Sequence, residues 1–286
     1  MEYGLIGMPL GHSFSKEIHE ALGEYTYELH EVAAEDLDAF MRAKDFRAIN
    51  VTIPYKQNVI PYLDEVDPAA LEIGAVNCVV NRNGKLHGYN TDYAGMSALV
   101  KRLGLDLAGK KVLICGTGGT SKTARTMARM LGANTVLRLS RTAREGADFA
   151  DTITYAQAYN DHANAQIIIN TTPSGMFPNN GMAAINAAAF PQLEGIIDAV
   201  YNPRETALVM QGKRLGVPAE GGLYMLVAQA IVAAEHFLGR ALDVEAWCES
   251  IFRKLEASKR NVVLMGMPSC GKSTVGALLA QSMGRT

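Results

Sequence analysis

Short apolar runs and amphipathic stretches alternate along this chain from end to end, the order expected of an α/β protein whose strands run largely parallel. Buried-strand patterns fall at Tyr3–Gly7, Tyr25–Val32 and Ala48–Ile53, with helical patterns from about Lys16 and from Glu35 between them. A hairpin follows, because Val76–Arg82 and Lys85–Tyr89 flank Asn83-Gly84, a dipeptide suited to a type I′ turn. Asp92 stands as the N-cap of a helix reaching about Leu103. A Gly-containing stretch then separates this half from a second series: a strand at Lys111–Cys115, a helix over Ser121–Leu131, and strands at Thr135–Leu139, Gln166–Asn170 and Gly195–Val200. Leu223–Ser258 reads as two helices, broken at Gly239 and restarted with Asp243 as a cap. The pattern predicts a discontinuous body in which 1–105 and 223–258 form one domain and 106–222 the other, with 259–286 as a separate tail.

Composition narrows the function classes. The 286 residues carry 27 Lys+Arg against 29 Asp+Glu, a formal charge of -2, so no global field favours nucleic acid or an anionic membrane as partner. Any phosphate must be held locally. The 4 cysteines, Cys78, Cys115, Cys248 and Cys270, lack a CxxC pair or metal-ligand rhythm, which predicts no metal site and a reduced, cytoplasmic setting. The N-terminus has no basic segment before an apolar run, and the longest apolar stretch, Leu223–Leu238, includes Gln229, Glu235 and His236. No signal peptide and no membrane span are expected.

The first piece of chemistry is a glycine turn. Lys111–Cys115 runs into Gly116-Thr117-Gly118-Gly119-Thr120 and then a helix, the order in which glycines let the backbone approach a pyrophosphate seated on the helix N-terminus. At the end of the next strand stand Ser140-Arg141-Thr142, where an NAD site would favour an acidic residue for the ribose hydroxyl. Arg141, with Arg144 and Lys122 nearby, suits a 2′-phosphate instead, and so NADP rather than NAD.

A second set of polar residues lies in the first half. Ser13 and Ser15 stand two apart, Asn50 and Thr52 share a face of a strand whose end delivers Lys56, and Asn77 lies on the hairpin ahead of Asn90-Thr91-Asp92. The ends of such strands are where α/β sheets bind ligands. Taken singly, each residue could be a cap or a solvated side chain.

The segments HSFSKEIH, NVTIPYK, GAVNCVV, YNTDYAG, GTGGTSKTA, SRT, NTTPSGM, DAVYNP and GGLYMLVAQA occur in the order and approximate spacing of the shikimate dehydrogenases, and the chain resembles that family over about residues 3 to 256. The resemblance implies two α/β domains, a substrate-binding domain with a mostly parallel sheet and a Rossmann NADP-binding domain, with a cleft between them. It implies NADP-dependent reduction of 3-dehydroshikimate to shikimate, with Lys56 and Asp92 as the catalytic pair. Ser13, Ser15, Thr52, Asn77, Tyr201 and Gln229 would contact substrate. Gly116, Thr117, Gly118, Gly119, Thr120, Ser140, Arg141, Thr142, Ala199, Gly222 and Met225 would surround the cofactor. The chemistry agrees: hydride reduction of a ketone leaves an oxyanion, which needs a proton donor beside it, and Asp92 would hold the Lys56 ammonium in place. A small polyol carboxylate needs short polar side chains, which this set supplies. The chain departs from the family pattern at Lys16, Cys78, Ser140 and Glu145, the last placing a carboxylate where the family has a basic residue and leaving Arg144 one position early.

The tail carries different chemistry. Asn261–Met265 reads as a strand ahead of Gly266-Met267-Pro268-Ser269-Cys270-Gly271-Lys272-Ser273, a GxxxxGK[ST] turn that cradles nucleotide phosphates, and an amphipathic segment runs on to Met283. It resembles the start of shikimate kinase, which suggests a bifunctional dehydrogenase/kinase fusion; one strand and one helix predict no phosphotransfer, leaving Gly266, Gly271, Lys272 and Ser273 an inactive P-loop. Three rival readings remain at this stage: a quinate/shikimate dehydrogenase using NAD, a P-loop small-molecule kinase whose first part is regulatory, and a catalytically silent binding module.

Overall fold

A computed structural model describes residues 1–10, 14–259 and 262–283. Two six-stranded sheets organise it. The first holds β1 (Tyr3–Gly7), β2 (Glu28–Glu31), β3 (Ala48–Val51), β4 (Glu65–Val66), β5 (Cys78–Arg82) and β6 (Lys85–Tyr89), in the order β2-β1-β3-β5-β6-β4. The second holds β7 (Lys111–Cys115), β8 (Thr135–Ser140), β9 (Thr152–Thr154), β10 (Ile167–Asn170), β11 (Gly195–Asp198) and β12 (Ala219–Glu220), in the order β12-β11-β10-β7-β8-β9. The helices are α1 (Ser15–Glu20), α2 (Leu37–Ala43), α3 (Pro68–Ile73), α4 (Thr91–Arg102), α5 (Gly119–Met130), α6 (Tyr155–Asp161), α7 (Ala207–Leu215), α8 (Leu223–Leu238), α9 (Val244–Lys259) and α10 (Lys272–Ser282). Every pairing in the second sheet is parallel. In the first, the β5–β6 hairpin and its junction with β3 are antiparallel and the remaining pairs parallel.

Strands β1, β3, β10 and β11 are buried at every position, which is why they read as mostly apolar runs rather than alternating ones. Side chains on β1 and β3 alternate between two apolar layers. Tyr3, Leu5 and Ala48 pack with Ala233 and Phe237 of α8, while Ile6, Ile49 and Val51 pack with Leu37 and Met41 of α2. The return of α8 to the first sheet is thus a packing consequence of Phe237 and its neighbours. In the second sheet Leu113, Leu139, Ile168 and Ile196 pack with Leu208 and Val209 of α7.

Several boundaries differ from the sequence reading. The strand expected over Tyr25–Val32 shrinks to β2, an exposed edge; Tyr27 and Val32 are buried at its flanks as core anchors outside it. Asn83 and Gly84 hold the φ values of 55° and 84° that a type I′ turn requires. Asp92 is not the N-cap of α4. Asn90 occupies that position without a side-chain capping bond, and the hairpin's Asn77 supplies one instead, its Oδ1 accepting from Thr91 N–H at 2.7 Å. The Asp92 carboxylate is thereby left for another partner. Asp243 does cap α9, accepting from Ala246 N–H at 3.0 Å.

The chain forms two compact units, Met1–Phe252, which contains both sheets, and Arg253–Thr286. In the second unit Lys272 and Ser273 open α10, Gly271 takes a φ of 80°, and Lys272 Nζ donates to the carbonyls of Gly266 at 2.9 Å and Met267 at 2.5 Å. The strand expected over Asn261–Met265 does not form. Asn261 lies outside the described residues, and Val262–Met265 are irregular and exposed, an apolar run that pairs with no strand among the described residues. Among the described residues no helix is long and apolar enough to cross a membrane.

Candidate active site

The segment that follows β3 is fixed from several directions. Thr52 N–H donates to Ile6 O at 2.9 Å, Tyr55 N–H to Thr52 O at 2.9 Å, and the Tyr55 hydroxyl to Val32 O at 2.6 Å. Val76 N–H donates to Lys56 O at 2.8 Å, tying the lysine backbone to the hairpin. Lys56 Nζ then meets Asp92 Oδ2 at 2.6 Å. Asp92 sits in the first turn of α4, where the helix dipole favours a carboxylate. The two side chains are 30% and 20% exposed, shielded on most sides yet open to a ligand.

Beside this pair is a buried amide cluster. Asn77 is 3% exposed; its Oδ1 accepts from Thr91 N–H at 2.7 Å and lies 3.3 Å from the Thr91 hydroxyl. Gln229 of α8 is also buried, its Oε1 3.3 Å from that hydroxyl and its Nε2 donating to Leu226 O at 3.0 Å. Asn77 and Gln229, far apart in sequence, therefore meet on one threonine. Asn50 stands behind them: Tyr27 OH donates to its Oδ1 at 2.7 Å and its Nδ2 donates to Asn77 O at 3.1 Å. Both ends of the Asn50 amide are used within the protein, so it supports the cluster. Thr52 is half-buried just beyond β3, and Ser15, also half-buried, opens α1. Ser13 lies outside the described residues. Tyr201 reaches the same neighbourhood by its ring, edge-on to Phe14 at 5.7 Å between centroids.

The second sheet supplies a turn and a cavity. Gly116 has a φ of 104°, and a Cβ there would stand 2.9 Å from Thr172 Cγ2 and 3.0 Å from Thr171 Oγ1, so only glycine fits. A Cβ at Gly118 or Gly119 would meet nothing within 4 Å, so the start of α5 is bare of side chains on its open side. That cradle suits a pyrophosphate. An adjoining cavity of about 480 Å³ is lined by Gly116, Thr117, Ser140, Arg141, Arg144 and Tyr155 among others. Arg144, which the sequence places one position early, lies on its wall, donating from Nε to Ser140 Oγ at 3.3 Å with its guanidinium over Phe149. Lys122 is paired with Asp148 at 3.5 Å rather than grouped with Arg141. Thr120 and Thr142 are exposed, in the first turn of α5 and in the turn after β8.

A buried carboxylate the sequence reading did not single out braces the loop that carries Ala199 and Tyr201. Asp198 Oδ1 accepts from Asn170 Nδ2 at 2.8 Å and Val200 N–H at 3.0 Å, and its Oδ2 accepts from the Thr206 hydroxyl at 2.6 Å. Burial raises its pKa above the ordinary carboxylate value, and these bonds oppose the rise. Ala199 N–H donates to Asn170 O at 2.8 Å, and Gly222 N–H donates to Val200 O at 2.9 Å. Gly222 is the N-cap of α8, with Met225 buried in the first turn. The signal for Asp198 was available: Asn170 and Asp198 end adjacent parallel strands in register, where two polar residues break apolar runs.

Known proteins resemble this chain over most of its length. Residues 5–79 match the model of the shikimate dehydrogenase substrate binding domain. A shikimate dehydrogenase (NADP(+)) of Halothermothrix orenii is 37% identical over 260 residues, covering 82% of this chain and 90% of the relative. The crystal structure of a chorismate mutase/shikimate 5-dehydrogenase fusion protein from Clostridium acetobutylicum superposes with a TM-score of 0.81 at 32% identity, covering 89% of this chain and 96% of that one. A Thermus thermophilus shikimate 5-dehydrogenase solved with NADP(H) and shikimate gives 0.77 at 28% identity, covering 89% and 99%. With more than four fifths of its length aligned at these identities, the chain belongs to the shikimate dehydrogenase family.

Proposed function

We propose that this chain catalyses the NADP-dependent, reversible reduction of 3-dehydroshikimate to shikimate, a step toward chorismate and the aromatic amino acids. The observation that carries the reading is the Lys56 Nζ–Asp92 Oδ2 contact of 2.6 Å beside a buried amide cluster. Bound NADPH supplies the hydride. Lys56 holds the proton at Nζ that the developing alkoxide oxygen takes, and accepts it back when shikimate is oxidised. Asp92 keeps Nζ at one place, so the donor is aimed before substrate arrives. Asn77, Gln229, Thr52, Ser13, Ser15 and Tyr201 serve the hydroxyls and carboxylate of the substrate. Gly116 to Thr120 take the pyrophosphate, Ser140, Arg141 and Thr142 the 2′-phosphate end, and Ala199, Gly222 and Met225 the nicotinamide end.

We divide the catalytic body into a substrate-binding domain, 1–105 with 223–258, and an NADP-binding domain, 106–222. All 4 cysteines are free thiols, which supports a cytoplasmic setting. Residues 259–286 we read as the opening of a P-loop kinase domain of the shikimate kinase type, supported by the Lys272 ammonium poised over the turn. The test is NADPH formation on adding shikimate, with kcat/KM compared for NADP against NAD and for shikimate against quinate. The expected order is NADP far above NAD and shikimate above quinate. A preference for NAD or quinate would replace this reading with that of a quinate/shikimate dehydrogenase. Added ATP should leave shikimate unphosphorylated if the P-loop segment acts only as a phosphate cradle.

A further inference from the structure

Thr91 lies between Asn90, at the N-cap position, and the reactive Asp92, is 2% exposed, and carries one hydroxyl proton shared by two acceptors. Its Oγ1 is 3.3 Å from Asn77 Oδ1 and 3.3 Å from Gln229 Oε1. The two amides do not need that proton equally. Asn77 Oδ1 already receives Thr91 N–H at 2.7 Å, so the backbone alone fixes which end of the Asn77 amide faces the helix. Gln229 has no such backbone donor on its oxygen among the described residues. Its oxygen depends on the Thr91 hydroxyl, while one Nε2 hydrogen goes to Leu226 O at 3.0 Å. The other hydrogen remains for a ligand.

The packing that permits this is local to α4. One turn beyond Thr91 stands Gly95, where a Cβ would be 2.5 Å from Met225 O and 2.9 Å from Gln229 Cβ. Glycine there lets α8 approach until the Gln229 side chain reaches the start of α4.

We propose that Thr91 is a positioning residue: its hydroxyl holds the Gln229 amide with the oxygen inward and an N–H outward to the substrate. Were the amide reversed, Oε1 would face the Leu226 carbonyl, acceptor against acceptor, and the outward group would change from donor to acceptor. A substrate hydroxyl or carboxylate oxygen that accepts from Gln229 would then meet a lone pair. The inference rests on the reading that Gln229 contacts substrate, so its test separates the two.

Thr91→Val keeps the branched shape and removes the hydroxyl. The expected result is a rise of about fivefold in KM for shikimate, the size of one neutral hydrogen bond, with kcat and KM for NADP within twofold of the parent. Thr91→Ser, which keeps the hydroxyl, restores the parent KM. Gln229→Leu raises KM for shikimate by at least as much, and Thr91→Val adds nothing further in that background. If Gln229→Leu leaves KM unchanged, the substrate-contact reading fails, and this proposal with it. If Gln229→Leu raises KM but Thr91→Val does not, or the two effects add, the positioning role alone is overturned. A melting temperature lowered equally in the Val and Ser variants, with KM unmoved, would assign Thr91 to structure only.

Discussion

The two halves of the site are built on different principles. On the first sheet the functional groups are side chains held by one another: Asn77 and Gln229 share Thr91, Asn50 braces Asn77, and Asp92 holds Lys56. On the second sheet they are a bare backbone turn at Gly118 and Gly119 and exposed cations beside it, with Arg141 on the rim of the cavity. A small polyol offers only hydroxyls and a carboxylate, so recognising it requires donors and acceptors held in one orientation. A nucleotide phosphate brings its own charge and is held by amide N–H groups that every residue possesses. The first half should therefore be brittle to single substitutions and the second tolerant of them.

The sharpest break should come at Lys56. Lys56→Ala removes the proton donor at the oxyanion, and kcat should fall by roughly 10²–10⁴, the range of a positioned general acid. KM for NADP should stay within about twofold, because the cofactor half does not use this side chain. A kcat within tenfold of the parent would remove lysine from the chemistry.

The first half should also be the part of the fold that weakens in acid. Burial lowers the His19 imidazole to about 3, with a hydrogen bond from the protonated ring to Asn50 opposing the shift, and the ring is stacked on Tyr27 at 4.1 Å between centroids. The folded value lies below the ordinary 6.5, so between 6.5 and about 3 the unfolded chain binds the extra proton. Stability from this group is complete above pH 6.5 and is lost as pH falls toward 3. By pH 5 the loss is roughly 2 kcal/mol relative to pH 7. His19→Phe keeps a stacking ring and cannot titrate. Its unfolding free energy, measured by urea at pH 7 and pH 5, should fall less between the two than the parent's does. Equal falls would show that His19 is protonated in the folded chain.

What the sequence disclosed follows the same division. The four central strands of the second sheet were legible within two residues, β7 matching Lys111–Cys115 and β8 extending Thr135–Leu139 by one, because parallel buried strands write themselves as apolar runs and the glycine turn has a fixed spacing, whereas the short edge strands β9 and β12 were not read. In the first half Ser13, Ser15, Thr52, Lys56, Asn77 and Asp92 were legible as polar residues at strand ends and loops, and only Tyr201 and Gln229 needed the family motifs to become legible. Its local geometry was not, because it depends on contacts between residues distant in sequence. Asp92 looked like a cap, since an acidic residue at a helix start usually is one; only the approach of Asn77 from the hairpin shows the cap to be supplied from elsewhere. Thr91 was invisible as a functional residue for the same reason. Its role exists only once α8 lies against α4, and the glycine that allows this, Gly95, looks like an ordinary helix residue in sequence, although any Cβ there would collide with α8. In the tail an apolar run promised a strand, and pattern alone could not supply the neighbour a strand requires.

Arg141 measures the tolerance of the second half, because the effect of its loss should be confined to KM for NADP. Arg141 is exposed on the cavity rim, and Arg144 lies on the same wall. A charge-assisted contact to a 2′-phosphate would be worth about 1.5–3 kcal/mol if buried, and solvent exposure and the neighbouring guanidinium both reduce the loss on deletion. Arg141→Ala should therefore raise KM for NADP by about tenfold and leave KM for NAD, which lacks the phosphate, unchanged. Added salt should narrow the gap between parent and variant, because the lost term is electrostatic and exposed. The reach of the comparison lies in kcat: once saturated with NADP, the variant should turn over shikimate at the parent rate, since Lys56, Asp92 and the amide cluster are untouched. A variant that bound NADP normally would remove Arg141 from the 2′-phosphate contact, and one that lost kcat at saturation would mean that the second half is as finely fitted as the first.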